Sequence, residues 1–452
     1  MTHRIQNFEA LAGSHERRDA LSIAEAGLAA IDVGAALARA LRIEGDDLLL
    51  QEKRYPLAER RIFFIGVGKC ANAAAQAVER IFGDRLEGGI AFDVSPLEGT
   101  PLRKVEAYVG SHPLPTEANV QAAKRIAAFL TGRSEADLVI TLISGGGSTL
   151  LCLPPASMTC TDETALWNEL TARGATIQDI NTVRKHISLL RGGGLAAAAY
   201  PAEIVSLIVS DVPGNDLGFI ASGPTVPDTT SAADAEAILA RYGIAPAANL
   251  ELLETPKEPR YFERVTNTLF LTNEDALAAM QHEAERREYR CEVVDDRYAG
   301  EAREVGHAVV EKLRDAPAKT VLLYAGESTV TLVPLETRTP GVLAGSTPAS
   351  LTGRGEQYGK GGRNQEMALA ALNELREGEL ILPFASDGRD NTDCAGAIGD
   401  DVTRAHVFAH NLSIEEYLDA HKAYDFFAAT GDSIVTGYTG SNVSDLIIAM
   451  KK

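Results

Sequence analysis

The stretch "RIFFIGVGKCANAAAQAVERIF", residues 61–82, decides the fold class. Its first part, Arg61 to Gly68, is a continuous apolar run, the pattern of a strand buried on both faces. Gly66 and Gly68 allow a sharp turn, and Ala71 to Phe82 then reads as an Ala-rich helix. Strand, glycine turn and helix in succession are the opening of a βαβ unit.

The same alternation continues outward. "GGIAFDVS" (88–95), "VEAYVGSH" (105–112), "LVITLISG" (138–145) and "EIVSLIVSDV" (203–212) read as further strands, with a helix at "EANVQAAKRIAAFL" (117–130). A second set follows at "NTLFLT" (267–272), "CEVVD" (291–295), "TVLLYAGES" (320–328) and "ELILPFASDG" (379–388). The fold expected is α/β, a Rossmann-like doubly wound N-terminal domain plus a smaller α/β C-terminal domain. The irregular, Pro-rich and charged stretch between Pro246 and Arg264 suggests domains at 1–255 and 265–452. Pro334 to Gly361, rich in Gly, Pro, Ser and Thr, reads as a long surface loop.

At 452 residues the chain is too long for one ordinary domain. Its 43 Lys+Arg against 63 Asp+Glu give a formal net charge of −20, which argues against general nucleic-acid or anionic-membrane binding. The partners expected are small molecules, and any anion must sit in a local pocket. A homo-oligomer is neither required nor excluded. The 5 scattered cysteines show no CxxC pair and suit a reduced cytoplasm. The N-terminal segment lacks an apolar signal core, and the longest uncharged run, Leu138–Thr161, holds three glycines and two prolines, so no membrane helix is expected.

Against that acidic background "NTVRKHISLLRGGG" (181–194) stands out, since no acid occurs from Ile180 to Ala202. As a helix, Val183, Ile187 and Leu190 would form a core stripe, with Arg184, Ser188 and Arg191 projecting along its edge. A solvated helix face usually mixes charge signs, so this one reads as an anion pocket built from Arg184, Lys185 and Arg191.

Glycine loops supply the rest. Gly66-Val67-Gly68-Lys69 precedes a helix start, where a lysine opposes the dipole unless an anion lies between. In "LISGGGSTLL", Ser144, Gly145, Gly146, Gly147 and Ser148 make a strand-end loop suited to phosphate or carboxylate. Neither loop matches G-x-x-x-x-G-K-[ST], and Gly66-x-Gly68 is followed by Ala71, so the dinucleotide fingerprint G-x-G-x-x-G is missing. Asp211 closes its strand at the carboxyl end, where open α/β sheets bind ligands. In the second half "GKGGRNQEMALAAL" carries Arg363, Asn364 and Glu366 into a helix. "FASDGRDNTDCAGA" sets Asp387, Asp390 and Asp393 at a strand end, a spacing that can hold Mg²⁺ or simply cap turns. "TGYTGSNVSDL", with Asn442, is another Gly/Thr/Ser/Asn loop near the terminus, or simply a turn before a last helix. Glycine loops, one lysine, one arginine and an aspartate group suit phosphoryl transfer.

"GVGKCA", "SGGGSTLL", "NTVRKHISLLRGGGLA", "SDVPGNDLGFIASGPTVPD", "GGRNQE", "DGRDNTDCAGA" and "TGYTGSNVSDL" together resemble the glycerate 2-kinase family, in order from Ile62 to Leu446. The C-terminal portion of that family is called the MOFRL domain. The resemblance implies ATP-dependent phosphorylation of D-glycerate at its 2-hydroxyl, with a divalent cation and an active site in the interdomain cleft. It implies functional roles for Lys69 and Arg363. The expected arrangement has glycerate's carboxylate on the basic segment and ATP contacted by Gly66, Gly68, Asn181, Asp211, Asn364, Glu366 and Asn442. Mg²⁺ would be held mostly by phosphate, with Asp211 or Asp387 as protein ligand. Asp211, Asp216 and His186 are equal candidates for general base. Two departures bear on the acceptor: a long segment separates Val330 from Gly361, and "DGRDNTD" lacks the family's usual Gly-Pro. The rivals are a kinase for another small hydroxy or sugar acid, a hydroxypyruvate reductase (an older label in this family), and a non-catalytic sugar-phosphate-binding module.

Overall fold

The computed structural model describes residues 3–212, 214–245, 247–332 and 359–452, so nearly all of the expected 334–361 loop lies outside the described residues. The chain divides into two compact units, Val33–Leu271 and a second formed by Met1–Asp32 with Thr272–Lys452.

The Val33–Leu271 unit begins with a small antiparallel sheet, β1 (Leu41–Glu44), β2 (Asp47–Leu50) and β3 (Lys53–Pro56). Its main sheet contains β4 (Arg61–Val67), β5 (Leu86–Asp93), β6 (Val105–Val109), β7 (Asp137–Ile143), β8 (Glu203–Val209) and β9 (Val265–Leu271). All neighbours are parallel, in the order β6-β5-β4-β7-β8-β9. Counted from β4 this is 3-2-1-4-5-6, the doubly wound order whose direction of winding reverses between β4 and β7. The reversal leaves the loops after β4 and β7 side by side at the carboxyl end of the sheet. Ile65, Val67, Ile90, Phe92, Val139 and Ile143 form the core with Ile126 and Leu130 of the helix Glu117–Leu130. Each such side chain contributes about 1.5–3 kcal/mol on burial.

In the second unit β10 (Arg290–Glu301), β11 (Thr320–Thr329), β12 (Glu379–Ala385), β13 (Gly396–Ala397), β14 (Ser433–Ile434) and β15 (Asp445–Lys451) form a mixed sheet ordered β10-β11-β15-β12-β13-β14. The segment expected to be a last helix is therefore a central strand: "DLIIAMK" is apolar on both faces and runs antiparallel between β11 and β12. Asp445 pairs in register with Gly326 and with Ala385. The start of β15 thus lies where β11 and β12 finish, and three elements deliver polar residues to one end of the sheet.

The observed division corrects the expected 1–255 and 265–452. β9 joins the first sheet because it pairs with β8, Ile204 opposite Val265. The helix His15–Ala30 belongs to the second unit because Arg17, 2% exposed, bonds Asp400 through Nε (2.7 Å) and Nη2 (2.6 Å) and Asp432 through Nη1 (2.7 Å).

Candidate active site

The two switch-point loops interlock through their backbones. Lys69 N–H donates to Gly145 O (2.9 Å), Ser144 N–H to Val67 O (2.9 Å), and Cys70 N–H to Ser144 Oγ (3.1 Å). Gly68 sits at φ +113°, and a Cβ there would lie 2.3 Å from Ser144 Oγ, so only glycine fits. The Lys69 side chain passes over the Gly146 position, where Val94 and His112 also approach. Gly66, Gly68, Lys69, Ser144, Gly145, Gly146 and Ser148 are thereby gathered at the carboxyl end of the sheet, around the β4 and β7 loops.

A second loop closes on this end. Ala221, Ser222 and Gly223 are all left-handed, with φ of 52°, 60° and 58°, a strained run for two non-glycine residues. It is held by Gly192 N–H donating to Ser222 O and Gly193 N–H to Gly223 O, both 2.8 Å. The turn brings Ser222 Oγ within 2.8 Å of Ser148 Oγ and 2.6 Å of Asn181 Oδ1. Asn181, expected on ATP, is thus engaged with this loop.

The basic segment differs from its expected form. The helix is Ile177–Lys185 and stops at His186. Beyond it, Leu189 N–H donates to Leu153 O, Ser188 Oγ to Leu151 O, and Gly192 and Gly193 take positive φ. Those contacts replace a continued helix, so Arg184, Ser188 and Arg191 do not share one helical edge. Nor are the charges unopposed. Glu163, from the helix Cys160–Ala172, takes Arg191 Nη2 at 2.8 Å and lies 3.3 Å from Arg184. Arg191 is fully buried, and its remaining nitrogens bond Ser148 O (2.7 Å) and Arg184 O (3.1 Å). Lys185 bonds Asp228 at 3.0 Å. Arg191 and Lys185 are therefore framework cations. His186, also fully buried, is bonded to Leu253 O (2.7 Å) and Thr230 Oγ1 (3.1 Å), which removes it as a general base. Arg184 keeps partial exposure, stacks on Trp167 at 4.9 Å and bonds Thr149 Oγ1 at 3.1 Å. Burial, and the adjoining Arg191 cation, push its pKa down to about 10.

In the other unit Arg363 is the first residue of the helix Arg363–Leu372. Its Nη2 bonds Glu327 Oε1 (2.9 Å) and Asp445 Oδ1 (3.1 Å), and its Nε bonds Asp445 Oδ2 (2.5 Å). Burial pushes the Asp445 carboxyl up to about 7 even with Arg363 against it. Asp390 caps the helix, accepting from Asn364 N–H (3.0 Å) and Gln365 N–H (2.8 Å), and a Cβ on Gly362 would meet Asp390 O at 1.9 Å. Asp387 accepts from Arg389 N–H (2.9 Å), while Asp393 is exposed beside Lys360 (3.5 Å). The three aspartates therefore do separate jobs. Glu366 is buried against Arg303 (2.6 Å) and His421 (3.1 Å), away from Arg363's partners. Asn442 lies buried in the loop that packs on the β12 end through Thr439 N–H to Asp387 O (3.2 Å) and Val443 N–H to Ser386 Oγ (2.9 Å). Asp211 and Asp387, both named as metal ligands, belong to different units, and Asp211 follows β8 as expected.

Glu163, Ser222, Glu327 and Asp445 escaped the sequence reading. Each acts on a residue far along the chain; Ser222 and Asp445 lie within quoted motifs, but their partners, Asn181 and Arg363, lie in other segments.

Among the described residues no single helix is long and apolar enough to cross a membrane. A family model described as a domain of unknown function (DUF4147) matches residues 19–254, and the MOFRL family model matches residues 320–445. The glycerate 2-kinase of Pyrococcus horikoshii is 33% identical over 96% of this chain and 97% of its own length. A protein of Agrobacterium vitis whose name, hydroxypyruvate reductase, is provisional is 38% identical over 85% of this chain and 86% of its own. The crystal structure of glycerate kinase from Thermotoga maritima matches with a TM-score of 0.80 at 29% identity, covering 96% of this chain and 99% of that one. With relatives that similar over nearly the whole chain, and a MOFRL domain in the second unit, this protein belongs to the glycerate kinase family.

Proposed function

We propose that this chain transfers the γ-phosphoryl group of ATP to the 2-hydroxyl of D-glycerate, releasing 2-phosphoglycerate and ADP. The observation that carries this reading is Lys69 at the switch point, its N–H braced on Gly145 O next to Gly68, which has no room for a side chain, in a chain whose relatives are named glycerate kinases. Phosphoryl transfer asks the protein for positioning and charge neutralisation, and a lysine set at a rigid glycine turn serves both. Arg184, the partly exposed arginine of the basic segment, anchors glycerate's carboxylate. Arg363 brings guanidinium hydrogen-bond donors to the same reaction from the second unit, oriented by Asp445 and Glu327.

Mg²⁺ neutralises the phosphate charge in such a reaction. The ion is carried mainly by phosphate oxygens, with Asp211 or Asp387, whose carboxylates are hard oxygen donors, as a single protein ligand. Five free cysteines and use of ATP support a cytoplasmic setting.

The test is ATP-dependent turnover of D-glycerate, coupled through enolase so that only 2-phosphoglycerate gives signal. Wild type should turn over, and Lys69→Ala or Arg363→Ala should lower kcat by about 10²–10³-fold, with circular dichroism unchanged. NADH oxidation with hydroxypyruvate and no ADP release would sink the kinase reading.

A further inference from the structure

The hydrogen bonds linking Ser148, Ser222 and Asn181 run in one determinable direction. Asn181 Nδ2 donates to the carbonyl of Gly218 (3.4 Å), which turns Oδ1 toward Ser222. Ser222, fully buried, donates its only hydrogen to that oxygen at 2.6 Å. At 2.8 Å from Ser148, Ser222 Oγ can then only accept, so Ser148 must donate. The reverse orientation would set the Asn181 Oδ1 against the Gly218 carbonyl, acceptor against acceptor. Ser148 has thus turned its single hydrogen inward, and its half-buried Oγ offers lone pairs alone. The left-handed turn at Ala221 and Ser222 holds this arrangement rigidly.

A group with only lone pairs to offer repels phosphate and carboxylate oxygens and welcomes a hydroxyl hydrogen. Thr149, next in the chain, takes a hydrogen bond from Arg184, so the anion-binding guanidinium and Ser148 serve the same turn. We infer that Ser148 reads the acceptor by accepting a hydrogen bond from its non-reacting hydroxyl, the one at C3 of glycerate. The 2-hydroxyl must stay directed at the phosphoryl donor, which leaves the C3 group for recognition. This inference rests on the kinase reading above and adds a residue that separates glycerate from hydroxy acids lacking the second hydroxyl.

The experiment is calorimetric binding of D-glycerate, D-lactate (the same acid without the C3 hydroxyl) and ATP, each alone, to wild type, Ser148→Ala and Ser222→Gly. Wild type should prefer glycerate to lactate by about tenfold, the worth of one hydrogen bond in an occupied site. Ser148→Ala should weaken glycerate about tenfold and leave lactate and ATP within about twofold, erasing the preference. Ser222→Gly, whose backbone accepts positive φ without strain, frees the Ser148 hydrogen and should reduce the preference by about threefold. If Ser148→Ala weakens both acids together, weakens ATP, or keeps the wild-type preference, the inference is wrong. Wild-type turnover with glycerate is read separately. Its absence beside an intact binding contrast would count against the kinase reading and leave the role of Ser148 standing.

Discussion

Around Glu163 two arginines share one carboxylate, whereas around Arg363 one arginine faces two. The first cluster has a positive surplus, the second a negative one, and the pKa values follow. Burial alone would raise the Glu163 carboxyl, but Arg191 and Arg184 hold it below the usual range. Burial raises Asp390 and Asp445, and Arg363 does not bring them back. The two clusters thus differ in what can enter cheaply. An anion beside Arg184 relieves a surplus of positive charge, while the Asp445 cluster gains from a proton or a cation. An arginine's role follows from how many carboxylates answer it and how much water it sees, more than from its being an arginine in a motif.

The sharpest way to break this comparison is to remove one arginine from each cluster and compare stability with turnover. Arg191 is sealed, with every guanidinium nitrogen bonded internally. Arg191→Met should cost about 3–5 kcal/mol of stability, because two buried carbonyls lose their donor and the buried Glu163 carboxylate keeps only Arg184 at 3.3 Å, read as a fall in the urea midpoint. Arg363→Met should cost far less, since Asp445 can take up a proton in place of its partner. A wild-type urea midpoint for Arg191→Met would mean that cluster is not a framework element.

The second test uses pH. In the unfolded chain the Asp445 carboxyl titrates near 3.8, and in the fold near 7. Between those values the folded state keeps a proton that the unfolded state has released, so this group's contribution to stability falls as pH rises and levels off above about 7. Asp445→Asn lacks that dependence. The wild-type minus variant difference in unfolding free energy should therefore decline from about pH 4 to about pH 7, on the order of 4 kcal/mol. Parallel curves across that window would show that Asp445 is ionised throughout.

Much of this architecture was legible locally. The helices at 71–82 and 117–130 begin and end where composition puts them, because capping and apolar spacing are short-range properties. The glycine turns after the buried strands were legible as turns, since Gly68 and Gly146 take positive φ and a Cβ on Gly68 would meet Ser144. What failed was non-local. The absence of acids from Ile180 to Ala202 suggested unpaired cations, yet Glu163 and Asp228 neutralise them from other elements. The i, i+4, i+7 spacing of Val183, Ile187 and Leu190 suggested a continuous helix, but all three are buried on either side of a helix end. Parallel pairing carries no turn signal, so nothing local assigned β9 to the first sheet or the helix His15–Ala30 to the second unit.

Glu327 gives the smallest effect and the finest distinction. It is 46% exposed, whereas Asp445 is 3% exposed, and both bond Arg363. A half-exposed ion pair contributes little because water screens it and side-chain entropy opposes it. Glu327→Gln should change stability by less than about 0.5 kcal/mol and keep one acceptor for Nη2, lowering kcat by no more than about threefold. Asp445→Asn removes charge where water cannot replace it and should lower kcat further, with KM for glycerate little altered. Measuring kcat and KM for the pair separates the two carboxylates. If Glu327→Gln were as damaging as Arg363→Ala, the exposed carboxylate would itself be acting on the reactants, and Arg363 would owe its orientation to Asp445 alone.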